Sequence, residues 1–409
     1  MSNEFDIVIV GGGAAGIGAA RRLAPSGRSI LLLEAGANLG GRARTCHLRG
    51  LHLDLGCGWL HSADRNAWAS AARHAGIPLD DRVPAWGRQF QNLGFTPQEQ
   101  AEAHEALSLW MQRMTVNPPP SDRAADALNA GSRWNGYIRA IAGFISGAPL
   151  ESLSIADYLA YDENSTEENW RVATGYGSLI VRAFPDSVRV RLETPVSSIE
   201  LDDEGVRVGT PAGDIRAQAV IITVSTHVLG GNSIKLPAGT DAWQKAAASL
   251  PLGCNEKLFF EISGDTPFRD ETQVLGNPRD ACTGAYYIRP MGLPIVECFY
   301  GGEAAGLIDR DGPAAGFAFA QDQLAGLFGH QVRGMLKPLL ASDWGRMDHI
   351  GGAYSYALPS QAEARRVLAQ PFENHIFFAG EATSPDDFST AHGAHDSGVR
   401  AATEALAAL

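Results

Sequence analysis

The stretch DIVIVGGGAAGIGAARRL, residues 6–23, constrains the fold of this chain more than any other feature. An apolar run typical of a buried strand meets Gly11, and Gly11, Gly13 and Gly16 follow the G-x-G-x-x-G spacing at the start of a helical pattern. Gly11 permits a tight turn, Gly13 lets backbone amides approach a pyrophosphate, and Gly16 lets helix and strand pack closely. With Ala14 and Ala15 at the helix start, these residues predict a Rossmann-like dinucleotide site.

Two further elements extend this site. The apolar run SILLLE ends at Glu34, followed by Ala35, and the Glu34 carboxylate could accept hydrogen bonds from both hydroxyls of an adenosine ribose. A turn containing Gly41 and Arg42 comes next, and the guanidinium could add a charge-assisted contact to a pyrophosphate. Nicotinamide enzymes with a Rossmann fold do not need this arginine. The alternatives are a glycine turn with a structural role only and a solvated loop arginine.

Composition places the chain among globular enzymes. Its 409 residues exceed what one core usually serves, and 45% hydrophobic residues suffice for two domains. A net charge of −13 without a basic block argues against nucleic acid as a partner. Five cysteines without C-x-x-C spacing argue against disulfides and zinc, and His392 and His395 have no further ligands at useful spacing, so we predict no metal site.

No apolar segment is long enough for a membrane helix, and the N-terminus has no pattern of a cleavable leader. We therefore expect a soluble cytoplasmic protein, a monomer or homodimer, that does not contact membranes.

Six motifs together resemble the flavin-containing amine oxidases, the family of monoamine oxidases, polyamine oxidases and histone lysine demethylases. They are VGGGAAGIGAARRL, LLLEAG, GGRART, DLGCGWLH, LPLGCNEK and FFAGEATSPDDFSTAHGAHDSGVRAA, in matching order along the whole chain. The resemblance implies an FAD lying extended through the molecule; we expect it to be non-covalent, because the methyl group of Ala353 cannot form a thioether. Beyond the residues above, it implies FAD contacts at Gly56, Gly58, Trp59, Val196, Trp344, Gly380, Glu381, Thr390 and Ala391.

Residue chemistry also favours FAD over NAD. The Glu381 carboxylate, at the end of the apolar run HIFFAG, could accept hydrogen bonds from the hydroxyls of a ribityl chain, which NAD lacks. A helix that begins near Thr390 would offer free amides to the electron-rich end of an isoalloxazine ring.

The pattern of apolar runs predicts an α/β fold. A Rossmann-like FAD-binding domain is assembled from separated segments, with an inserted α+β substrate domain. We assign the FAD-binding domain to residues 1–64, 171–225 and 346–409, and we expect short strands in residues 175–225. A helical insertion covers residues 65–170, and a sheet with a helix covers residues 226–345; both belong to the substrate domain.

Four residues are candidates for the chemistry. The resemblance implies that Lys257, after a PLG turn, holds a water against the flavin; a strand-end lysine with its ammonium in solvent is the alternative. Tyr354 matches one wall of the aromatic cage of monoamine oxidases. It follows Ala353, where that group has the cysteine bonded to FAD, so attachment here is impossible. Thr390 replaces the second cage tyrosine, as in polyamine oxidases and demethylases, and His61 matches an active-site histidine of many polyamine oxidases. The alternatives are an ordinary core aromatic at Tyr354 and a structural histidine at His61.

These observations predict an FAD-dependent oxidase of primary or secondary amines. Hydride would pass from the amine α-carbon to flavin N5, water would hydrolyse the imine, and O2 would be reduced to hydrogen peroxide. Small-molecule amines and O2 are thus the expected partners. A flavoenzyme of the same fold that oxidises C–C bonds and a non-catalytic module on the dinucleotide scaffold remain as alternatives.

Overall fold

The structure, a computed structural model, describes residues 3–231 and 233–409. Its strands, numbered in chain order, form two main sheets. A seven-stranded sheet contains β1 (Glu4–Val10), β2 (Ile30–Leu33), β7 (Arg189–Arg191), β8 (Ser198–Asp202), β9 (Gly205–Thr210), β10 (Gly213–Ile222) and β16 (Ile376–Phe378). A five-stranded sheet contains β11 (Asn255–Ile262), β12 (Thr272–Leu275), β13 (Ala285–Ile288), β14 (Ile295–Gly301) and β15 (Leu336–Ala341).

Two small sheets of two strands each accompany the main sheets. One is the hairpin of β3 (Thr45–Leu48) and β4 (Leu51–Asp54), and the other pairs β5 (Leu79–Asp80) with the distant β6 (Arg171–Val172). The α-helices are α1 (Ala14–Leu23), α2 (Ala67–His74), α3 (Pro97–Val116), α4 (Asn135–Ser146), α5 (Ile155–Asn164), α6 (Tyr176–Arg182), α7 (Thr226–Gly230), α8 (Asp241–Ala248), α9 (Glu303–Asp311), α10 (Pro313–Phe328), α11 (Ala364–Leu368) and α12 (Ala391–Ala408).

The seven-stranded sheet joins segments that are far apart in the sequence. Strand β1 pairs in parallel with β2 and β10, and β10 pairs in parallel with β16 more than 150 positions later. The central strands are buried on both faces: Ile7 and Ile9 pack into the core that contains α1 and α12, and Val8 and Val10 pack into the opposite core. Because both faces of these strands are buried, successive residues must be apolar, and apolar and polar residues do not alternate.

Helices α1 and α12 pack closely because glycine occupies their contact. A Cβ atom at Gly398 of α12 would lie 2.0 Å from the Ala15 carbonyl oxygen of α1. A Cβ atom at Gly18 of α1 would lie 2.5 Å from the His395 carbonyl oxygen of α12. This contact fixes the N-terminus of α12 beside the glycine-rich turn.

The five-stranded sheet has two faces of different character. Leu258, Phe260, Tyr286, Val296 and Cys298 point to one face and pack in a buried core with α9 and α10. The alternate residues of the same strands point to the other face, as strand geometry requires. That second face borders the cavity described below.

Two segments differ from the sequence interpretation. Residues 176–182, which the sequence placed among short strands, form α6, because the Tyr176 and Gly177 amides donate to the Asp54 carboxylate and cap the helix. Residues 226–250, assigned to the substrate domain, contain α7 and α8, which pack in the core of the seven-stranded sheet. The apolar residues of α7 and α8 pack against the seven-stranded sheet. The chain therefore leaves this sheet for the five-stranded sheet near residue 250 and not at residue 226.

Within residues 3–231 and 233–409, none of the helices combines the length and the apolar character that spanning a bilayer requires.

The close packing of α1 and α12 can be tested by adding a methyl group. We expect Gly398→Ala to destabilise the protein by about 1–3 kcal/mol, because the helices must separate or distort. The control is Gly326→Ala in α10, where an added Cβ meets no atom within 4 Å; this change should stabilise by roughly 0.5–1 kcal/mol. Thermal unfolding measures both, and equal effects of the two substitutions would contradict the packing described.

Candidate active site

A single continuous cavity of about 1090 Å³ runs from the glycine-rich turn to the second face of the five-stranded sheet. Most of the residues selected from the sequence border it. They are Gly11, Gly13, Ala14, Ala15, Glu34, Ala35, Gly41, Arg42, Gly56, Gly58, Trp59, His61, Val196, Lys257, Trp344, Tyr354, Gly380, Glu381, Thr390 and Ala391. Gly16 does not border it: a Cβ there would lie 2.0 Å from the Gly11 carbonyl oxygen, so Gly16 serves the packing of α1 on the turn.

The glycine-rich turn presents unpaired amides to the cavity. Gly11 has a φ of +105°, and a Cβ atom there would lie 2.6 Å from the Thr223 hydroxyl. Helix α1 then begins at Ala14, and the Ala14 and Ala15 amides have no acceptor among the described residues. Two free amides at the positive end of a helix form a binding site for a phosphate or pyrophosphate.

Glu34 stands at the edge of the same cavity. Its Oε2 accepts a hydrogen bond from the Gly12 amide at 2.6 Å, and its Oε1 accepts one from the Gly36 amide at 2.7 Å. These bonds orient the carboxylate and use one acceptor position of each oxygen. Since a carboxylate offers about four such positions, both oxygens keep room for a ribose hydroxyl.

Val196 borders the cavity in the loop between β7 and β8. The Thr194 amide donates to the Glu34 carbonyl at 2.8 Å, which holds this loop against the Glu34 loop. The Val196 side chain is buried, and its amide has no acceptor in the described parts of the chain. The position therefore suits a flat heterocycle that needs one hydrogen-bond donor.

Glu381 is the centre of a buried ionic network. Its Oε1 accepts from the Arg42 guanidinium at 3.0 Å and from the Ser355 amide at 3.2 Å. Its Oε2 accepts from the Ser355 hydroxyl at 2.6 Å and from the Ser389 amide at 3.0 Å. Burial raises the pKa of Glu381, but Arg42, Arg365 and the hydrogen bonds outweigh it and hold the pKa below its usual range.

This arrangement changes the role expected for Glu381. The sequence suggested that its carboxylate accepts hydrogen bonds from ribityl hydroxyls, yet all of its approximately four acceptor positions are used by protein donors. The carboxylate therefore orients Arg42 and the backbone around it. Direct contacts to a ligand here are left to the Arg42 guanidinium, which also donates to the Ala353 carbonyl.

The network continues away from the cavity. The Ser355 hydroxyl also accepts from Arg365 at 2.9 Å, and the Arg365 guanidinium makes two bonds, of 2.6 and 2.9 Å, to the Asp157 carboxylate. Arg365 and Asp157 are 1% and 2% exposed. Because removing one partner of such a pair leaves a buried charge, this chain of ions fixes α5 and α11 relative to the cavity.

Two glycines make room for larger groups in the cavity wall. A Cβ atom at Gly56 would lie 1.7 Å from the Arg42 carbonyl oxygen, and one at Gly58 would lie 2.9 Å from Lys257 Nζ. Trp344 closes the wall near Gly56 and is held by its amide, which donates to the Glu256 carboxylate at 2.6 Å.

The N-terminus of α12 also faces the cavity. Thr390 is the N-cap: its hydroxyl accepts from the Gly393 amide at 2.9 Å and donates to the Asp387 carbonyl at 2.6 Å. The hydroxyl is therefore committed to the helix cap and not free for a substrate. The amides of Ala391 and His392 have no acceptor among the described residues, which leaves the positive helix end open to a ligand, as the sequence predicted.

Lys257 is buried on the cavity face of β11. Its ammonium contacts the Glu297 carboxylate at 2.9 Å and donates to the Asp54 carbonyl oxygen at 3.2 Å. Burial lowers the pKa of Lys257, but the charges of Glu297 and Asp54 outweigh this effect, and the pKa lies above its usual value. The side chain is thus a fixed cation, and its third N–H has no acceptor in the described chain.

His61 is a neutral imidazole. Its Nδ1 lies 2.7 Å from the Asn169 side-chain oxygen, an acceptor, so Nδ1 carries the proton and Nε2 is left as an acceptor. Burial lowers the pKa of His61 to about 4, despite the hydrogen bond to Asn169.

Tyr354 joins the cavity wall to the helical insertion. Its hydroxyl donates to the Phe144 carbonyl oxygen of α4 at 2.7 Å, and burial raises its pKa. Ala353 before it has only a methyl group, so this position offers no thiol. Cys57 also borders the cavity, and burial raises the pKa of its thiol, which stays protonated.

Trp59 belongs to an aromatic group at one end of the cavity. Its ring centroid lies 4.5 Å from that of Trp86 and 6.2 Å from that of Tyr287. The Arg171 guanidinium lies 5.2 Å from both the Trp59 and the Tyr287 ring centroids. Trp59, predicted to contact the cofactor, therefore also forms part of an aromatic wall.

Apart from Lys257, the sequence interpretation missed the residues that enclose this end of the cavity, which we name the chamber. One wall is the second face of the five-stranded sheet, and the other is one side of α4. The sheet wall contains Asn255, Lys257, Gln273, Leu275, Ala285, Tyr287, Glu297 and Phe299, and the helix wall contains Tyr137, Ile141, Phe144 and Ile145. The signals were present: period-two alternation in the strands, and the i, i+4, i+7, i+8 spacing in α4.

The structure also brings together three carboxylates, which the spacing of His and Cys residues in the sequence does not indicate. Oxygen atoms of Glu256, Asp309 and Asp343 lie within 4.8 Å of one another, behind Lys257. Burial raises the pKa of Glu256 to about 7, against the hydrogen bonds from Ser342 and Trp344 that lower it. Glu256 therefore positions Trp344 in the cavity wall.

The cavity as a whole fits an extended dinucleotide. Glu34 supplies acceptors for a ribose, and the N-termini of α1 and α12 supply free amides. Arg42, which the Glu381 network holds in place, supplies a further donor. The volume of about 1090 Å³ lies at the upper end for ligand sites, which leaves room for a second molecule in the chamber.

Comparison with known proteins agrees with this geometry. The model of the family described as "Flavin containing amine oxidoreductase" matches residues 87–406, and that of the "NAD(P)-binding Rossmann-like domain" matches residues 9–74. The chain is similar to polyamine oxidase 4 of Oryza sativa subsp. japonica, with 26% identity over 97% of this chain and 88% of the relative. It is 24% identical to polyamine oxidase 2 of Arabidopsis thaliana, over 97% and 87% of the two chains.

A third relative is named for a different activity. Lysine-specific histone demethylase 1 homolog 2 of Oryza sativa subsp. japonica is 24% identical, over 98% of this chain and 57% of the relative. A flavin family model together with a dinucleotide-binding domain implies FAD as the cofactor, and the α/β fold with a Rossmann-like domain predicted from the sequence is confirmed.

Removing the Glu34 carboxylate tests its assignment to the ribose. We expect Glu34→Ala to weaken FAD binding by about tenfold to a hundredfold, since two hydrogen bonds of about 1 kcal/mol each are lost, with the fold preserved. Dialysis followed by the flavin-to-protein absorbance ratio measures retention, and circular dichroism monitors the fold. Glu105→Ala on the exposed side of α3 is the control. Equal retention by Glu34→Ala and wild type would exclude the ribose contact.

Proposed function

This chain belongs to the flavin-containing amine oxidoreductase family and is an FAD-dependent oxidoreductase acting on amines, and we propose that it is an oxidase of primary or secondary amines. The products would be an imine, hydrolysed by water to an aldehyde or ketone, and hydrogen peroxide from O2. The observation that carries this proposal is the buried Lys257 ammonium, fixed between Glu297 and the Asp54 carbonyl at the point where the dinucleotide cavity meets the chamber.

Bound FAD supplies a two-electron acceptor for the hydride of the amine α-carbon and passes the electrons on to O2. The chain's own residues must bind, orient and deprotonate the amine, exclude bulk water and stabilise charge on the oxygen side.

The chamber favours the neutral amine, which has the lone pair needed for oxidation. Aromatic and aliphatic side chains line it, and transfer of an ammonium out of water into such surroundings lowers its pKa. His61 supplies a hydrogen-bond acceptor, Nε2, for an amine N–H. A bond to this nitrogen would leave the amine lone pair free to point elsewhere.

Lys257 supports the oxygen half of the reaction. Its ammonium has one N–H without a protein acceptor and keeps its positive charge because Glu297 and Asp54 raise its pKa. A fixed cation stabilises negative charge that develops on reduced oxygen, and it costs no reorganisation when the charge appears. Oxidation of a C–C bond does not need such a cation, so Lys257 favours an amine oxidase over a desaturase.

The direct test is spectroscopic. The purified protein should be yellow, and anaerobic addition of a suitable amine should bleach its flavin absorbance. Admission of air should restore the colour and release one peroxide per amine. A colourless protein that added FAD does not reconstitute would instead indicate a non-catalytic module, and bleaching by an unsaturated hydrocarbon but by no amine would indicate a desaturase.

Loss of the lysine charge should slow the oxygen step. We expect Lys257→Met to retain FAD but to reoxidise with O2 at least tenfold more slowly, about 1.4 kcal/mol of barrier. Stopped-flow mixing of reduced protein with O2 measures this rate. Lys245→Met on the exposed side of α8 is the control. An unchanged rate in Lys257→Met would remove this residue from the mechanism.

The neutral state of His61 makes a prediction about pH. Because the pKa of His61 is lowered to about 4, its acceptor nitrogen is available at all higher pH values and should cause no change between about pH 6 and 9. The rise of kcat/KM with pH should therefore follow deprotonation of the amine and shift between two amines of different pKa. A rise fixed near pH 6.5 for both amines would point to an enzyme histidine.

A further inference from the structure

The charges around the chamber limit which amines it can accept, an inference that rests on the proposed oxidase function. In the described chain, four carboxylates border the whole cavity: Glu34, Glu297, Asp348 and Glu381. Glu34 and Glu381 lie in the dinucleotide part. Asp348 lies two residues before Ile350, whose carbonyl oxygen accepts a hydrogen bond of 2.7 Å from the Ser225 hydroxyl. Because Ser225 lies next to the glycine-rich turn, Asp348 also belongs to the dinucleotide part. Glu297 is therefore the carboxylate of the chamber.

Glu297 is not available to a substrate cation. Its Oε1 lies 2.9 Å from Lys257 Nζ, and the Lys257 and Glu297 side chains are 9% and 20% exposed. The pair has no net charge, and an ammonium close to Glu297 would also be close to Lys257. The exposed Arg88 adds a further positive charge to the cavity border.

The acids behind the aromatic wall are also paired. Arg171, with a side chain 7% exposed, contacts both Asp80 and Glu271, and its guanidinium also donates to the Tyr287 hydroxyl. Arg82 contacts the same two acids, Asp80 at 2.7 Å and Glu271 at 3.2 Å. Two arginines thus compensate two carboxylates, and this group offers no unpaired negative charge to the chamber.

The remaining chamber walls are mainly apolar. On the helix side, Ile141, Phe144 and Ile145 face the cavity, and the Phe144 ring lies 5.8 Å from the Phe299 ring of the sheet side. A hydrocarbon or aromatic substituent is stabilised by the apolar surface that it buries there. An ammonium at the same place loses its hydration without gaining a carboxylate partner, which is unfavourable.

We propose that the chamber selects amines with one amino group and an apolar or aromatic substituent, and that it rejects diamines and polyamines, because the carboxylates at its walls are already paired with Lys257, Arg82 and Arg171. This substrate class differs from the one for which the polyamine oxidase relatives are named.

A matched pair of probes isolates the second charge. Heptylamine and 1,6-diaminohexane have the same number of heavy atoms and differ by a terminal methyl in place of an ammonium. Anaerobic stopped-flow mixing with the yellow holoprotein gives the rate of flavin reduction and the apparent dissociation constant for each. We expect the ratio of rate to dissociation constant to be at least a hundredfold higher for heptylamine, and 2-phenylethylamine to exceed spermidine by a similar factor.

A single substitution should relax this selection. Gln273 borders the chamber on β12. Strand β12 is three strand spacings, or roughly 14 Å, from β11, which carries Lys257. The Gln273 side chain has no hydrogen-bond partner among the described residues. Gln273→Glu places an unpaired carboxylate of almost the same size there. We expect the spermidine-to-phenylethylamine ratio of kcat/KM to rise at least tenfold in Gln273→Glu and not in Gln273→Met.

The outcomes separate this inference from the proposed function. Flavin reduction by diaminohexane or spermidine as efficient as by the monoamines would overturn the inference and leave the oxidase function standing. An equal rise of the ratio in Gln273→Glu and Gln273→Met would also overturn it, because charge would then not be the cause. No flavin reduction by any of the four amines would overturn the oxidase function and this inference together.

Discussion

The buried Glu381 carboxylate is the interaction on which the rest of the site depends. It accepts hydrogen bonds from Ser355 and Ser389, which lie 26 and 8 positions away in the sequence, and from Arg42, which lies 339 positions earlier. Through the Ser355 hydroxyl the network reaches Arg365 and Asp157. A buried ion without partners destabilises the folded protein. These segments must therefore come together in the fold so that the buried charges are paired. The position of Arg42 in the cavity is a consequence of this requirement.

The two halves of the cavity use charge differently. In the dinucleotide half, free amides at the ends of α1 and α12 and the Arg42 guanidinium offer donors to a ligand, while Glu34 offers acceptors. In the chamber, ions are paired within the protein: Lys257 with Glu297, and Arg171 with Asp80 and Glu271. Few groups in the chamber are therefore left without a protein partner; they include one N–H of Lys257 and Nε2 of His61. Such an arrangement suits a substrate that must lose its charge before it reacts.

Much of the dinucleotide half could be predicted from the sequence because its signals are local. The glycine spacing, the acid after the second strand and the N-cap of α12 each depend on a few neighbouring residues, and Gly11, Glu34 and Ala391 all border the cavity. The set of donors to Glu381 could not be predicted, since no local pattern links Glu381 to Arg42, 339 positions earlier, or to Ser355, 26 positions earlier. For the same reason Glu297 was missed, although a lone acid in the apolar run IVECFY was a usable signal. Helix α6 was missed because its cap, Asp54, lies over 120 positions earlier.

We propose that one cofactor lies extended from Glu34 to Lys257, with an amine chamber beyond it. A crystal structure of the protein purified with its own cofactor tests this most directly. We expect electron density for FAD with the ribose hydroxyls on Glu34, no bond to any side chain, and the tricyclic ring between Lys257 and the Ala353–Tyr354 backbone. Density for a nicotinamide dinucleotide, or a tricyclic ring remote from Lys257, would contradict the account.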